Sequence, residues 1–255
     1  MFSRMVKEKP KSSALKVALE VLGSLLVVFL LLGCGESSGG GGGGGEEDVC
    51  PETNLDIAVC DPVAGGPFSL IIDNEFFPLV VGNQLVLEGV EDGETIHVEI
   101  TVLDETEDVA GVTTRVVEEA EFVDGELAEI SLNYFVQAAD GTVCYFGEDV
   151  DIYEGGVVVS HEGKWRAGEN GNLPGIFMPS SPDIGMVYSN EFALGVAEDQ
   201  AEVIALGEEI DVPAGVFDDT LTVEECNPLE DAERDIKVFV RGIGIAIDGV
   251  TELLP

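Results

Sequence analysis

Asp92-Gly93-Glu94-Thr95-Ile96-His97-Val98-Glu99-Ile100-Thr101-Val102 opens on a dipeptide that tolerates positive φ and continues with an apolar residue at every second place. Ile96, Val98, Ile100 and Val102 alternate with His97, Glu99 and Thr101, the period of two that gives a strand one apolar and one polar face. Asp-Gly ahead of such a run is a hairpin signal, because tight hairpin turns need positive φ.

The same grammar extends in both directions. Val112, Thr114, Val116, Ala120 and Phe122 form one alternating apolar face, and Ile130, Leu132, Tyr134 and Val136 form another, with Asp124-Gly125 and Asp140-Gly141 as turns. Further strands are expected at 142–147, 156–161, 186–194, 201–212, 217–225 and 236–247, with Val212-Pro213-Ala214-Gly215 as a turn. No segment sustains the 3.6-residue apolar period of a helix over three turns. The expectation is an all-β domain: a long antiparallel meander forming a strongly curved sheet, an open barrel or a two-sheet sandwich. In the closing strand Ile236, Val238 and Val240 lie on even positions and Ile243, Ile245 and Ile247 on odd ones. A one-residue slip of this kind predicts a β-bulge near Gly242.

Residues 162–185 interrupt the meander with five Gly and three Pro, which excludes a regular strand or helix through them. Long irregular connections in a compact domain often carry function. This one holds Trp165 between Lys164 and Arg166, with His161 beside it. Those four residues make a candidate ligand loop, with Trp165 as a flat face and the cations as partners for an anionic or sugar-like group. Read structurally, the loop instead plugs one side of the sheet and its cations neutralise nearby carboxylates.

Charge divides the chain. The 255 residues hold 51 Asp and Glu against 11 Lys and Arg, a net charge of -40, which repels phosphate and excludes nucleic acid as a partner. Five of the basic residues, Arg4, Lys7, Lys9, Lys11 and Lys16, precede the apolar stretch 17–32, which ends at Leu31-Leu32-Gly33-Cys34. That is the layout of a signal peptide. Its end resembles the lipobox of bacterial lipoproteins, a resemblance that implies cleavage after Gly33 and lipidation of Cys34. Gly35 rather than Asp after the cysteine implies the outer membrane if the host is Gram-negative. Gly39–Gly45 are seven consecutive glycines, a flexible tether with nothing to bury. The expected organisation is a signal peptide at 1–33, a lipidated tether at 34–49, a disulfide-bearing lead-in at 50–67 and one β domain over 68–255.

Removing residues 1–33 takes away two acidic and five basic side chains, leaving a charge near -43. Asp104-Glu105-Thr106-Glu107-Asp108 and Glu148-Asp149-Val150-Asp151 are candidate divalent-cation clusters. Neither has the spacing of a calcium loop, and the plainer reading of both is as solvated acidic turns. Cys50, Cys60, Cys144 and Cys226 remain beside Cys34, an even number that suggests two disulfides with three possible connectivities. A local Cys50–Cys60 bridge across nine residues is the economical choice, and Cys144 then pairs with Cys226. No Cys-x-x-Cys pair suggests zinc or redox chemistry, so no cofactor is expected.

Three segments carry a second resemblance: Gln137–Asp149 with its Tyr145-Phe146-Gly147-Glu148-Asp149, Pro174-Gly175-Ile176-Phe177-Met178-Pro179, and Val212-Pro213-Ala214-Gly215-Val216-Phe217. Together they resemble an uncharacterised family of exported bacterial proteins over about residues 76–254. Members of that family usually carry an aromatic residue at the positions of Cys144 and Cys226. The resemblance implies domain limits and no activity. Neither histidine has a Gly-x-Ser-x-Gly elbow to serve, and with so many acids no chosen pair is informative. No catalytic residue is assigned. The expected function is that of a lipid-anchored, non-catalytic envelope protein with a ligand-binding or structural domain, its ligand a small molecule, a glycan or a divalent cation. A cell-envelope hydrolase using carboxylates or His161 is the alternative.

Overall fold

The computed structural model describes residues 49–229 and 233–255. The expected signal peptide, the lipidation site Cys34 and the glycine run lie outside the described residues. Short strands β1 (Ile72–Asp73) and β2 (Pro78–Leu79) pair with each other. The meander follows as β3 (Gln84–Glu91), β4 (Glu94–Val109), β5 (Val112–Val123), β6 (Glu126–Gln137) and β7 (Val143–Glu154). Shorter strands come next: β8 (Val157–Ser160), β9 (Trp165–Arg166), β10 (Gly175–Met178), β11 (Val187–Ser189) and β12 (Gln200–Leu206). A separate hairpin of β13 (Ile210–Val212) and β14 (Gly215–Phe217) precedes β15 (Thr220–Asn227), β16 (Glu233–Val240), β17 (Gly244–Asp248) and β18 (Thr251–Leu253).

Among the described residues fourteen strands form one antiparallel sheet, in the order β10-β7-β6-β5-β4-β3-β18-β17-β16-β15-β12-β11, with β8 and β9 also on β7. The fold is therefore all-β, as its sequence implies, with a single 3₁₀ turn, Ile57–Cys60, among the described residues. Asp92 and Gly93 (φ 48° and 90°) and Asp124 and Gly125 (50° and 79°) make the expected tight turns.

The sheet does not close into a barrel, but it curls strongly. Glu119 on β5 and Lys237 on β16 are separated by β4, β3, β18 and β17, yet both line the same cavity. Phe177 on β10 packs against Phe239 on β16 with ring centres 6.3 Å apart. Along the seam between the end strands β10 and β11, Leu173 and Phe192 form an isolated bridge.

The lead-in straps this seam. Cys50 is bonded to Cys226 on β15 and Cys60 to Cys144 on β7, which corrects the expected Cys50–Cys60 and Cys144–Cys226 pairing. Between the two cysteines, the backbone N–H groups of Asn54 and Leu55 both donate to the Val187 carbonyl on β11. The Asn54 side chain also accepts from the Val187 N–H. Nine residues are enough to cross the seam, so the segment joins its two sides where a local bridge would have joined neither.

Other corrections follow from the pairing. Residues 236–247 are not one strand. Arg241, Gly242 and Ile243 turn the chain between β16 and β17, with Gly242 at φ 76°, so reversal of the chain causes the slip in apolar phase. A register shift does occur nearby, where Val238 faces Ile247 and Phe239 faces Ile245, leaving Ala246 as the extra residue. Residues 104–108 belong to β4 and 148–151 to β7, so neither acidic cluster is a turn. The irregular stretch 162–185 contains the short strands β9 and β10.

Candidate functional site

The apolar alternation on β5 and β6 does not point where sequence periodicity suggests. On β5, Val112, Thr114 and Val116 are buried as expected, but from Val117 onward the phase changes: Val117, Glu121 and Val123 are buried, while Ala120 and Phe122 are only half-buried. The register of β4 against β5 shifts between Val102 and Thr106, opposite this point. On β6, Glu129, Ser131 and Asn133 are buried, whereas Ile130 and Leu132 are half-buried. Carboxyl and amide side chains therefore occupy the concave face.

On this face, with Glu119 and Asn133 contributed by β5 and β6, lies a cavity of about 100 Å³. Phe77, Phe135, Phe177 and Tyr145 form an aromatic wall, with the Phe77 and Phe177 rings 4.4 Å apart and those of Phe135 and Tyr145 stacked at 4.8 Å. The polar wall comes from many elements: Glu119 on β5, Asn133 on β6, Glu148 on β7, Glu225 on β15, Lys237 on β16 and Asp248 on β17. The hairpin after β11 adds Asn190, Glu191 and Asp199, its ends tied by the Asn190 N–H donating to the Asp199 carbonyl at 2.8 Å.

Lys237 is buried and bridges two of these acids, with Nζ 3.2 Å from both Glu225 Oε2 and Asp248 Oδ1. Asn190 Nδ2 donates to Glu225 Oε1 at 2.5 Å, which fixes the amide so that its oxygen is the free end. Tyr145 O–H donates to Asn133 Oδ1 at 2.5 Å. Asn190 Oδ1 and Asp199 Oδ1 have no hydrogen-bond partner, although the two residues are only 6% and 4% exposed. A buried acceptor left unmade costs roughly 1–3 kcal/mol.

Burial shifts the acids toward their neutral forms. The Glu119 carboxyl is pushed up to about 7 by burial and by Asp248, with Lys237 opposing. Glu148 is held well above the carboxylate range by burial, then by Glu191, Glu129 and Glu119. Asp199 is raised by burial, then by Glu191 and Glu225. Burial would pull the Lys237 ammonium down, but Asp248 and Glu225 hold it well above its ordinary value. Burial thus biases these carboxyl groups toward their protonated forms.

The sequence-expected ligand loop is arranged differently. Trp165 is 2% exposed, so it offers no open face. Its ring packs edge-on against Tyr145 at 5.3 Å, and its N–H donates to Glu191 Oε1 at 3.4 Å. Arg166 donates from Nε and Nη2 to Asp149 at 2.9 and 2.7 Å and from Nη1 to Glu107 at 2.6 Å, with the guanidinium over the Tyr134 ring. Lys164 pairs with Asp149 at 3.0 Å, and His161 Nδ1 lies 2.7 Å from Asp151 Oδ1. These side chains line an outer cleft separate from the cavity. Trp165 is the link between the two, as a backing for Tyr145 and Glu191.

Of the cavity residues, Glu148 is the one that the sequence marks as a candidate ligand, as part of an acidic cluster. Among the described residues no group of three or more His, Cys, Asp and Glu side chains stands in metal-binding geometry. No family model, curated protein or solved structure matches the chain.

Proposed function

We propose that this chain is an exported, lipid-anchored binding protein whose β domain holds a small ligand in the acid-lined cavity. One observation carries the reading: Asn190 and Asp199 line the cavity, and the buried Oδ1 of each has no hydrogen-bond partner in the protein. A fold selected for packing alone would fill such a space with apolar side chains, so unpaired buried polar groups in a concave site point to a ligand. Two disulfides indicate an oxidising, exported setting. The basic segment, apolar stretch and Leu31-Leu32-Gly33-Cys34 support an anchor in the cell envelope, at the outer membrane in a Gram-negative host. The tether then lets the domain work free of the bilayer.

Native mass spectrometry of protein purified from its host tests the binding reading. A mass excess that disappears on denaturation, and is lost in Asp199→Leu, is expected; a bare mass in protein retaining both disulfides overturns it. The anchor is tested separately by Cys34→Ser, which is expected to abolish partitioning into detergent. Unchanged partitioning with processing intact overturns the lipid anchor.

A further inference from the structure

We propose that the ligand of this cavity is a small organic ammonium ion, held through its N–H donors against the polar wall with its carbon skeleton against the aromatic one. The inference rests on reading the cavity as a binding site and deepens that reading.

Charge gives the sign. Lys237 is the cationic side chain among the lining residues, and it is engaged by Glu225 and Asp248. Glu119, Glu148, Glu191 and Asp199 add four further carboxyl groups to the same small space. An anion entering would meet acids and a lysine already paired, and a zwitterion would bring its carboxylate into the same surroundings.

Hydrogen bonding gives the functional group. The unmade bonds belong to Asn190 Oδ1, which can only accept, and to Asp199 Oδ1, which accepts in the ionised form that a bound cation favours. Asn190 cannot turn its amide over without losing the bond from Nδ2 to Glu225. The missing partner of Asn190 must therefore donate, and an ammonium offers up to three N–H groups with a positive charge behind them.

Volume and lining give the rest. A single water needs only about 10–15 Å³ of this kind of space, so a cavity of about 100 Å³ is too large for a bare ion alone. It suits a molecule of about four to five non-hydrogen atoms, judged against the roughly 150 Å³ cavities that take the six carbons of benzene. Phe77, Phe135 and Phe177 supply apolar contact for such a skeleton, and aromatic faces favour a cation beside them. Entry of the cation also favours the charged forms of Glu148 and Asp199, which burial otherwise disfavours, so binding releases protons.

The test is isothermal titration of the intact disulfide-bonded protein at pH 7.5 with four probes at matched ionic strength. They are isobutylammonium, tetramethylammonium, isobutanol and calcium. The expected result is 1:1 binding of isobutylammonium, at least tenfold tighter than any other probe. Its binding enthalpy should vary with buffer ionisation as protons leave, and affinity should fall at least tenfold in Asp199→Asn. Should that variant not fold, nuclear Overhauser contacts from the probe's methyl groups to the Phe135 and Phe177 rings of wild type replace it. Equal binding of tetramethylammonium, or calcium binding in place of the amine, overturns the N–H recognition. Isobutanol binding as tightly as the amine removes the ammonium class while leaving the cavity a binding site. No heat with any probe, together with a bare mass from the host, overturns both.

Discussion

Glu121 on β5 stands directly opposite Glu129 on β6 in the ladder, and the two are 0% and 2% exposed. Like charges in a cross-strand pair repel, and neither oxygen of Glu121 has a hydrogen-bond partner. Burial, then Glu119, pushes the Glu129 carboxyl up to about 8. Burial, then Glu129, holds Glu121 well above its ordinary range. Both shifts favour the protonated form of the pair over the carboxylates.

The sign of the resulting pH dependence is fixed. An acid whose pKa is raised by folding binds more protons in the native state, so stability is greatest below about pH 4.5 and falls as pH rises toward 8. Glu119 acts in the same direction through its value near 7. Thermal unfolding followed from pH 5 to 8.5 should show a falling melting temperature. Glu129→Gln, which keeps the shape and removes the ionisation, should make that slope shallower by an amount on the order of a few kcal/mol across the range. Superimposable slopes for the two proteins would refute the assignment.

Cross-strand pairing also explains what could and could not be read from the residues. Strand positions and the Asp-Gly turns were legible because period two and positive φ are local properties. The inward face was not. On β6 the alternation separates Ile130 and Leu132 from Glu129 and Ser131, but it is silent on which set faces in. Apolar burial is the usual guide, and here it is reversed because a polar site occupies the concave face. The turn at Ala110 and Gly111 (φ 53° and 78°) went unread because alanine carries no turn signal. The disulfide pairing was hidden because Asn54 docks on Val187, a partner 133 residues away.

The seam strap makes a covalent prediction. Peptide mapping without reduction should recover Cys50 joined to Cys226 and Cys60 joined to Cys144, with no Cys50–Cys60 peptide. Replacing both Cys60 and Cys144 by Ser should destabilise the domain by about 4 kcal/mol, since their bond closes a separation of 84 residues. A loss below about 1 kcal/mol by denaturant titration would mean that backbone pairing alone holds the lead-in.

Arg166 and Lys164 share Asp149 yet should differ in weight. Asp149 is held below the carboxylate range because hydrogen bonds from Arg166 and Lys164 outweigh the opposing effect of burial. The Arg166 side chain is 20% exposed and makes a two-pronged contact, whereas Lys164 is 45% exposed. Arg166→Lys should cost about 2–3 kcal/mol, because a lysine cannot span Asp149, Glu107 and the Tyr134 ring together. Lys164→Ala should cost less than about 1 kcal/mol. Equal losses in urea titrations would contradict this division.

A net charge of -40 makes mutual repulsion a general term distinct from these local pairs. Raising sodium chloride from 0.1 to 1 M shortens the screening length from about 10 to about 3 Å. The melting temperature should therefore rise with salt at pH 7.5. A rise with millimolar calcium at fixed ionic strength, but none with sodium, would instead assign the effect to specific cation binding.

Gly175 on β10 packs against the backbone at the end of β11, and its substitution tests the seam. A Cβ placed there would lie 1.8 Å from the Asn190 carbonyl oxygen and 2.9 Å from that of Ser189. Both obstacles are backbone, so no side chain can swing aside, and an alanine must push β10 away from the end of β11. That movement would strain the Leu173–Phe192 bridge on one side. On the other it would displace Asn190, whose side chain borders the cavity. Gly93→Ala is the matched control, because its Cβ meets nothing within 4 Å and the cost there is only that of a positive φ, about 1 kcal/mol. Gly175→Ala should cost at least twice as much and should raise amide hydrogen exchange selectively in 173–178 and 187–193. Equal stability losses in the two variants, with unchanged exchange along those segments, would show that the end strands can separate without consequence and that the strap alone closes the sheet.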